Sequence, residues 1–327
     1  MKALSLTRYG APGSGNVELI DAPERDPLPG QVAVAIHFAP INPSDLLLIA
    51  GYYGVRPSLP TILGAEGVGR VVAVGDGVDD ARIGEQVIVV PAIGRSTWTE
   101  RTIIDASAAV AVDGDPRQLS MLGINPLTAW ALLHGVAEPG ASAWIAQTGA
   151  TSATAGYVRA LAAQAGLRLI DVVRPEAVDA VRASGAQYVV ADGPDLANDI
   201  KATLEGGSIE LLIDSVGGPS TTALAKRMSP GGSIVSYTSR GGQPVSIDIG
   251  DLVFRGLTVQ GLWLLPWIAQ LPPEVIANRY RELAGLVNDG TLFAHVEATY
   301  SLGDFGHAFG HAGRPGRTGK ILFDVRG

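Results

Sequence analysis

The sequence has no cysteine among its 327 residues, and this absence excludes several kinds of site at once. A disulfide framework, a thiolate-ligated zinc ion and a cysteine nucleophile all need a thiol. Charged residues are also few, at 17%, and the net charge of −8 disfavours contact with a phosphate backbone. We therefore expect no metal site and no nucleic acid partner.

Long hydrophobic runs are missing as well. The apolar segments at 32–36 and 261–265 are much shorter than the roughly 20 residues that cross a bilayer. Residues 1–8, with the sequence MKALSLTR, lack the apolar core and the cleavage site of a signal peptide. These absences predict a soluble, cytoplasmic protein without a membrane partner.

The first part of the chain is rich in predicted strands. A length of 327 residues is about twice the commonest domain size, so we expect two domains. Segments 31–37, 67–75 and 85–90 contain many β-branched residues between Gly and Pro, which predicts strands. One helix is expected to begin near Pro43, with Ser44 or Asp45 as its cap.

From about residue 121 the pattern changes to alternating strands and helices. The clearest helices are expected at 155–166 and 273–288, and the tail returns to a strand at 321–325. The predicted strands of this part are 143–147, 167–173, 188–191, 209–214, 233–237 and 257–262. Six strands separated by helices indicate a parallel, doubly wound sheet of the Rossmann type, and therefore an α/β fold class. We expect a β-rich domain of residues 1–120 and 291–327, and a Rossmann domain of residues 121–290.

The turn after the first of these strands is a candidate phosphate site. Residues 149–156 read GATSATAG and precede a helix, whose N-terminal N–H groups can bind a pyrophosphate. The usual G-x-G-x-x-G pattern is absent. Gly149, Ser152, Ala153 and Thr154 are the candidate contacts, and an ordinary turn without a ligand is the alternative.

The residues at the end of the second predicted strand, 167–173, indicate which cofactor binds. Arg174 follows this strand, at the position where NAD-binding proteins have an acidic residue that binds the ribose 2′-hydroxyl. Asp171 lies inside the strand, before that position. A guanidinium pairs strongly with a 2′-phosphate. This predicts NADPH rather than NADH as cofactor. A solvated arginine at a strand end is the alternative.

A string of short motifs resembles a known family. The sequence has INPSD at 41–45, GYYG at 51–54, Leu59-Pro60 and GAEGV at 64–68. Further matches are Thr97-Trp98, LGINPLTA at 122–129, SVGG at 215–218, Gly261-Leu-Trp263 with Trp267, and Gly319-Lys320. Together they resemble the zinc-free medium-chain dehydrogenase/reductases, and most closely the mitochondrial-type trans-2-enoyl thioester reductases. The resemblance implies a GroES-like catalytic domain beside the Rossmann domain.

The same comparison argues against a zinc enzyme. Zinc alcohol dehydrogenases of this superfamily place a Cys before the first helix and a His in a G-H-E motif. This sequence has Asn42 and Ala65 at those places. Glu66, which follows, is expected to be structural, with its carboxylate accepting turn amides near the pocket.

The resemblance also implies roles for individual residues. Tyr53 aligns with the tyrosine of G-x-Y-G, which acts near the substrate carbonyl and Cα; an aromatic plug in a loop is the alternative, and Tyr52 is the less favoured tyrosine. Asn42 is the second residue assigned to the catalytic site, where it helps to place the nicotinamide. The remaining cofactor candidates are Asn125, Thr128, Tyr237, Trp263 and Lys320. Asn125-Pro126 could equally form a turn before a helix, and Trp263 a core or dimer contact.

The implied reaction is the NADPH-dependent reduction of the C=C bond of an α,β-unsaturated thioester or related carbonyl compound. Hydride reaches Cβ, and a donor stabilises the enolate and protonates Cα. One alternative is an NADPH:quinone oxidoreductase. Another is a non-catalytic nucleotide-binding redox sensor, because Ala153 and Ala155 replace two glycines of the family turn and are expected to weaken cofactor binding. The segment 257–262 is expected to be an edge strand that pairs in a homodimer.

Overall fold

The computed structural model describes residues 1–238 and 243–326, and its elements follow the chain in a clear order. The strands are β1 Lys2–Leu6, β2 Val17–Asp21, β3 Gln31–Ile41, β4 Thr61–Ile62, β5 Gly67–Val74, β6 Gln86–Val89, β7 Arg101–Asp105, β8 Ala109–Ala111, β9 Trp144–Thr148, β10 Arg168–Val173, β11 Tyr188–Ala191, β12 Ile209–Asp214, β13 Met228–Ser236, β14 Thr258–Gly261, β15 Val296–Tyr300 and β16 Lys320–Asp324. The α-helices are α1 Pro43–Ala50, α2 Pro116–Leu119, α3 Asn125–His134, α4 Ala153–Gln164, α5 Val178–Ala183, α6 Leu196–Leu204, α7 Gly218–Ala225, α8 Ile249–Arg255, α9 Leu264–Ile268, α10 Pro273–Asn288 and α11 Phe305–Gly313. Short 3₁₀ turns lie at Asp80–Arg82, Ala106–Ala108, Pro175–Ala177 and Leu302–Asp304.

The chain divides into two compact units. The first unit comprises residues 1–127 and 265–327, and the second comprises residues 128–264. Helix α10 belongs to the first unit, where the Tyr280 hydroxyl donates to the Gly123 carbonyl at 2.8 Å. The predicted domain limits at 120/121 and 290/291 lie elsewhere along the chain than these unit boundaries, and they stay a prediction.

The first unit is built on antiparallel sheets. One sheet runs β15-β16-β3-β5-β6-β8, with β7 also paired to β3, and a smaller sheet runs β2-β1-β4. Strand β3 has eight of its eleven residues buried and is longer than the predicted 31–37 segment, because it pairs with three other strands. The core contains the rings of Trp98, Phe309 and Phe323, with centroids 5.2–6.3 Å apart. The prediction of a β-rich first domain is confirmed.

The second unit is a six-stranded sheet in the order β11-β10-β9-β12-β13-β14, and every neighbouring pair is parallel. Strand β9 is buried along its whole length, as expected for a strand covered on both faces. The order reverses between β9 and β12, which is the place where doubly wound sheets bind ligands. The predicted Rossmann sheet is confirmed, and β14 lies at its edge.

The predicted cap of the first helix was wrong. Asn42, rather than Ser44 or Asp45, is the N-cap of α1, and Pro43 occupies the first helical position. Proline suits that position because its fixed φ is helical and its missing N–H would have no partner there. Asp45 instead reaches back, so that its Oδ2 accepts the Asn42 backbone N–H at 2.7 Å.

Two other sequence expectations change in detail. Asn125 and Pro126 form the first turn of α3 instead of a separate turn before a helix. Helix α4 begins at Ala153, two residues before the predicted start, because Ser152 caps it and accepts the Ala155 N–H. None of the helices in the described part of the chain has the length and hydropathy needed to cross a membrane.

Candidate active site

The first unit contains a pocket of about 590 Å³, counted with the open space at its mouth. Helix α1, the loop after it, strand β4 and the loop after β6 form its walls. Most of its lining is aliphatic or glycine: Leu48, Val55, Pro57, Ile62, Leu63, Gly64, Ala65, Ala92, Ile93, Gly94, Ile124 and Leu265, with Ser44, Asp45, Tyr53, Thr61 and Arg95 as the polar members. Such a lining suits a small organic molecule with an apolar body.

The two adjacent tyrosines of the loop after α1 differ in position. Gly51 ends the helix with a left-handed backbone and its N–H bonds the Leu48 carbonyl, so the chain turns sharply before Tyr52. Tyr53 is half-buried and lines the pocket, whereas Tyr52 is 81% exposed and does not line it. The structure thus brings Tyr53, and not Tyr52, to the candidate site. The catalytic role of Tyr53 stays a prediction.

The side chain of Asn42 connects three other residues of the first unit. Its amide Nδ2 donates to Glu66 Oε1 at 2.7 Å. Its Oδ1 accepts from Lys320 Nζ at 2.5 Å and from Asn125 Nδ2 at 3.1 Å. Glu66 Oε2 accepts the Ile124 backbone N–H at 2.7 Å, which agrees with the structural role expected for this carboxylate. We call Asn42, Glu66, Asn125 and Lys320 the buried network.

These contacts bear on the role predicted for Asn42. Both lone pairs of its amide oxygen and one of its amide hydrogens are engaged inside the protein. The residue therefore bridges its neighbours, and within the described part of the chain one of its amide hydrogens is not bonded. Of the predicted cofactor residues, Asn125 and Lys320 join it directly. Thr128, also on α3, is buried in the second unit.

Burial dominates the electrostatics of the network. Glu66 is 1% exposed and Lys320 is 5% exposed. Burial raises the pKa of Glu66 to about 8, against the opposing effects of Lys320 and of the Asn42 amide. Burial likewise lowers the pKa of Lys320 to about 8, and Glu66 opposes that change. Each of the two groups therefore favours the charged form of the other against the effect of burial.

Asp45 gives this unit a pH-dependent stability that can be measured. Burial raises the pKa of Asp45 from 3.8 to about 6. The native state thus holds this proton more tightly than the unfolded chain does, so the stability due to Asp45 is complete below about pH 3.8 and is lost as the pH rises through 6. Asp45→Asn keeps the acceptor for the Asn42 N–H and removes the titration. We expect the unfolding free energy of the variant, relative to the wild type, to rise by about 2 kcal/mol between pH 4 and 7.

Denaturant unfolding across that pH range measures this difference. Asp26→Asn, at an exposed aspartate, is the matched control and should follow the wild type. A constant difference between Asp45→Asn and the wild type would show that the Asp45 carboxyl titrates alike in the native and unfolded states.

In the second unit, the turn after β9 lies at the carboxyl edge of the sheet, next to the reversal of strand order. Gly149 has a φ of +62°, and a Cβ at this residue would lie 2.3 Å from the Ser215 hydroxyl. Ser215 follows β12 and donates to the Thr148 carbonyl at 2.8 Å. The two central strands are therefore bound closely at this edge, and only glycine fits at 149.

The start of α4 offers hydrogen-bond donors for a phosphate. Ser152 Oγ accepts the Ala155 N–H at 3.1 Å and keeps its own hydroxyl hydrogen to donate. Ala153 begins the helix, and Thr154 is buried in its first turn. The Ala155 side chain is fully buried in an apolar cluster with Val173 and Val181. The weaker cofactor binding expected from Ala153 and Ala155 stays a prediction.

Strand β10 and the position after it contain the two residues from which NADPH was predicted as the cofactor, Asp171 and Arg174. Asp171 lies inside the strand, where it accepts from Gln147 and pairs with Arg159 at 2.8 Å, so it is committed to the interior. Arg174 follows the strand and its side chain is 64% exposed. Its Nη1 lies 3.3 Å from Glu176 Oε1. A surface ion pair of this kind is weak and a phosphate can displace it.

The last two cofactor candidates also lie at the carboxyl edge. Tyr237 follows β13 and Trp263 follows β14, and the register pairs Ser236 with Gly261. Tyr237 is half-buried and Trp263 is partly exposed. Together with Gly149, Ser152 and Arg174, they occupy one edge of one sheet, as parallel strands require.

Two pocket residues were not identified from the sequence as site residues. Asp45 was considered only as a helix cap, although it belongs to the INPSD motif that carried the resemblance. Arg95 lies in a loop without any motif, and only the folded chain shows that it lines the pocket. Within residues 1–238 and 243–326, no group of three or more His, Asp or Glu side chains is arranged to hold a metal ion.

Comparison with known proteins agrees with this architecture. Residues 28–134 match the alcohol dehydrogenase GroES-like domain family, and residues 156–278 match the zinc-binding dehydrogenase family. The mitochondrial enoyl-acyl-carrier-protein reductase of Rattus norvegicus is 31% identical over 96% of this chain and 86% of its own length.

Solved structures extend the comparison. A Bacillus thuringiensis protein assigned as an NADPH:quinone reductase is 26% identical, with a TM-score of 0.91 over 99% of this chain and 98% of its own. The complex of Etr1p, a mitochondrial 2-enoyl thioester reductase of Candida tropicalis, with NADP and crotonyl-CoA is 22% identical and covers 99% of both chains at a TM-score of 0.85. The latter likeness is one of fold. From its two domain matches and its full-length relatives, the chain belongs to the medium-chain dehydrogenase/reductase family of oxidoreductases.

Proposed function

We propose that this protein reduces the C=C bond of α,β-unsaturated thioesters or related carbonyl compounds with NADPH. The observation that carries the proposal is the position of Tyr53, which lines a mostly apolar pocket while its neighbour Tyr52 does not. The 31% identity to a mitochondrial enoyl-acyl-carrier-protein reductase supports the same chemistry. The cytoplasmic location stays a prediction.

The residues of the second unit fit a dinucleotide phosphate. The first turn of α4, the Ser152 hydroxyl and the Arg174 guanidinium all lie at the carboxyl edge of the sheet, and they supply the donors that phosphates need. NADPH, when bound, supplies the hydride that reaches Cβ of the substrate. Arg174 would hold the 2′-phosphate, and Ser152 with the α4 N-terminus the pyrophosphate.

The remaining steps belong to the first unit. The Tyr53 hydroxyl would donate a hydrogen bond to the carbonyl oxygen as charge develops there, and would deliver a proton to Cα directly or through water. The aliphatic lining holds the carbon chain and keeps bulk water away from the developing enolate. The buried network would hold Asn42 and Lys320 in place beside the pocket.

Parallel assays of NADPH oxidation with crotonyl-CoA and with a simple benzoquinone test the proposal. Faster turnover of crotonyl-CoA supports it. Faster turnover of the quinone favours the second candidate, an NADPH:quinone reductase, for which the 26% identical structure is the specific support. Nucleotide binding without turnover of either compound would favour a redox sensor.

Arg174→Ala tests how the cofactor is selected. Charge-assisted hydrogen bonds contribute roughly 1.5–3 kcal/mol, so the variant should lose about tenfold to a hundredfold of the preference for NADPH over NADH. The measurement is kcat/KM for each cofactor. Arg182→Ala is the matched control, because Arg182 is similarly exposed and also pairs with one carboxylate, Asp179. An unchanged ratio in Arg174→Ala would mean that other groups bind the 2′-phosphate.

We also propose that the protein is a homodimer that pairs through β14. This strand is at the sheet edge and all four of its residues are exposed. An open edge of this kind readily pairs with another strand. Sedimentation equilibrium at micromolar concentration tests the proposal, and a monomer would contradict it.

A further inference from the structure

The pocket of the first unit contains a cationic side chain, Arg95, that has no role in the proposed reaction. Arg95 lies in the loop after β6 and is half-buried there. The rest of the lining that the structure describes is aliphatic or polar, with Asp45 as its acidic member. A charge placed in apolar surroundings is unfavourable unless a partner compensates for it.

The contacts of Arg95 leave most of its donors unused. Its Nε–H donates to the Val90 carbonyl at 3.1 Å, which braces the side chain against its own loop. Among the described residues, no acceptor is bonded to Nη1 or Nη2. Four N–H groups in a planar fork thus remain for a ligand. The hydrogen bond to Val90 also orders the Arg95 side chain before any ligand binds, which reduces the entropy lost on binding.

The acidic groups nearby do not neutralise Arg95. Burial lowers the pKa of Arg95, and Asp105 is the carboxylate that opposes this change. Asp105 is exposed and forms no ion pair with Arg95 within the described part of the chain. Asp45 is engaged elsewhere, since its Oδ2 accepts the Asn42 N–H. The guanidinium therefore stays available to an anion from outside the protein.

We propose that Arg95 binds an anionic group of the substrate, a carboxylate or phosphate outside the conjugated C=C–C=O unit. A planar guanidinium with two free amino groups matches two oxygens of either anion. The pocket then selects acidic enoyl compounds over neutral ones of the same length. This inference rests on the proposed function, because it names the class of substrate for the same pocket.

Matched substrates test the inference and distinguish the two sources of the anion. The neutral reference is the N-acetylcysteamine thioester of trans-2-hexenoic acid. The mono-thioester of trans-2-hexenedioic acid adds a carboxylate at the far end of the acyl chain, and trans-2-hexenoyl-CoA adds phosphates on the thiol side. In the wild type, one acidic compound should exceed the reference in kcat/KM by about tenfold to a hundredfold. Which compound does so identifies the source.

Variants assign the preference to Arg95. Arg95→Gln should abolish the preference for the acidic compound over the neutral one, and Arg95→Lys should retain part of it, since the charge remains without the fork. Arg70→Gln is the control, because Arg70 also donates to a backbone carbonyl of this unit but does not line the pocket. A wild type without any preference, or a preference that survives in Arg95→Gln, would overturn the inference.

Binding of the saturated products keeps this test separate from that of the proposed function. Titration calorimetry with the hexanoyl and hexanedioyl thioesters and with hexanoyl-CoA needs no turnover. An Arg95-dependent gain in affinity without any reduction of the enoyl compounds would uphold the anion site and contradict the proposed reaction. Reduction of all three compounds at equal rates, with equal product affinities, would uphold the reaction and reject the anion site.

Discussion

Replacing Tyr53 with phenylalanine should lower kcat for an enoyl thioester by roughly 10²–10⁴, the usual contribution of a general acid. The substitution removes one hydroxyl and keeps the ring, so the pocket wall contributed by Tyr53 is preserved. NADPH affinity should not change, because the candidate phosphate contacts lie in the second unit. Single-turnover rates and NADPH titration of the same variant measure the two quantities separately.

The adjacent tyrosine is the control for this prediction. Tyr52→Phe removes the same group one residue earlier, at a side chain that is largely exposed and outside the pocket lining. It should keep wild-type turnover. A full rate in Tyr53→Phe would remove the Tyr53 hydroxyl from the mechanism, and a loss confined to Tyr52→Phe would reassign the donor.

The second large effect is expected in the buried network. Glu66→Gln removes the carboxylate that most strongly favours the charged form of Lys320, and Lys320→Met removes the ammonium that most strongly favours the charged form of Glu66. Loss of one partner from a buried polar network costs about 1–3 kcal/mol of folding free energy. The double variant removes both charges, so it should be less destabilised than the sum of the two single variants by about 1–3 kcal/mol.

Denaturant unfolding of the four proteins at one pH completes this cycle. The coupling should pass through Asn42, whose amide bonds both residues. Asn42→Ala should therefore reduce the coupling between Glu66 and Lys320. Additive costs in the first cycle would show that the two charges are stabilised independently.

Much of the fold could be predicted from local patterns. Helix α10 matches the predicted 273–288 segment, and β11 and β12 match 188–191 and 209–214. These elements have a clear apolar period or a buried-strand composition, which does not depend on distant residues. Short strands such as β1 and β8 were not predicted, because a short strand is stabilised mainly by the strands with which it pairs.

Some residues of the candidate site could likewise be predicted from local patterns, and others could not. The turn at Gly149 and the strand end at Arg174 could be found from the sequence, since each follows a strand of recognisable pattern. The hydrogen bonds of the Asn42 side chain could not be predicted from the sequence, because its partners Glu66, Asn125 and Lys320 are 24, 83 and 278 positions away. The same applies to Arg95, whose place in the pocket wall depends on how the loop after β6 folds against α1 and β4.

The amino-acid composition excluded thiol chemistry, and local patterns indicated a parallel sheet with a phosphate turn at its carboxyl edge. Those features depend on composition and on residues close together in the chain. Which side chains share the pocket and which join the buried network depends on the folded chain. The antiparallel pairing of β16 with β3 sets Ile321 opposite Ile41, and this register brings Lys320 to Asn42. Such a contact depends on sheet pairing between distant segments, and no local pattern encodes it.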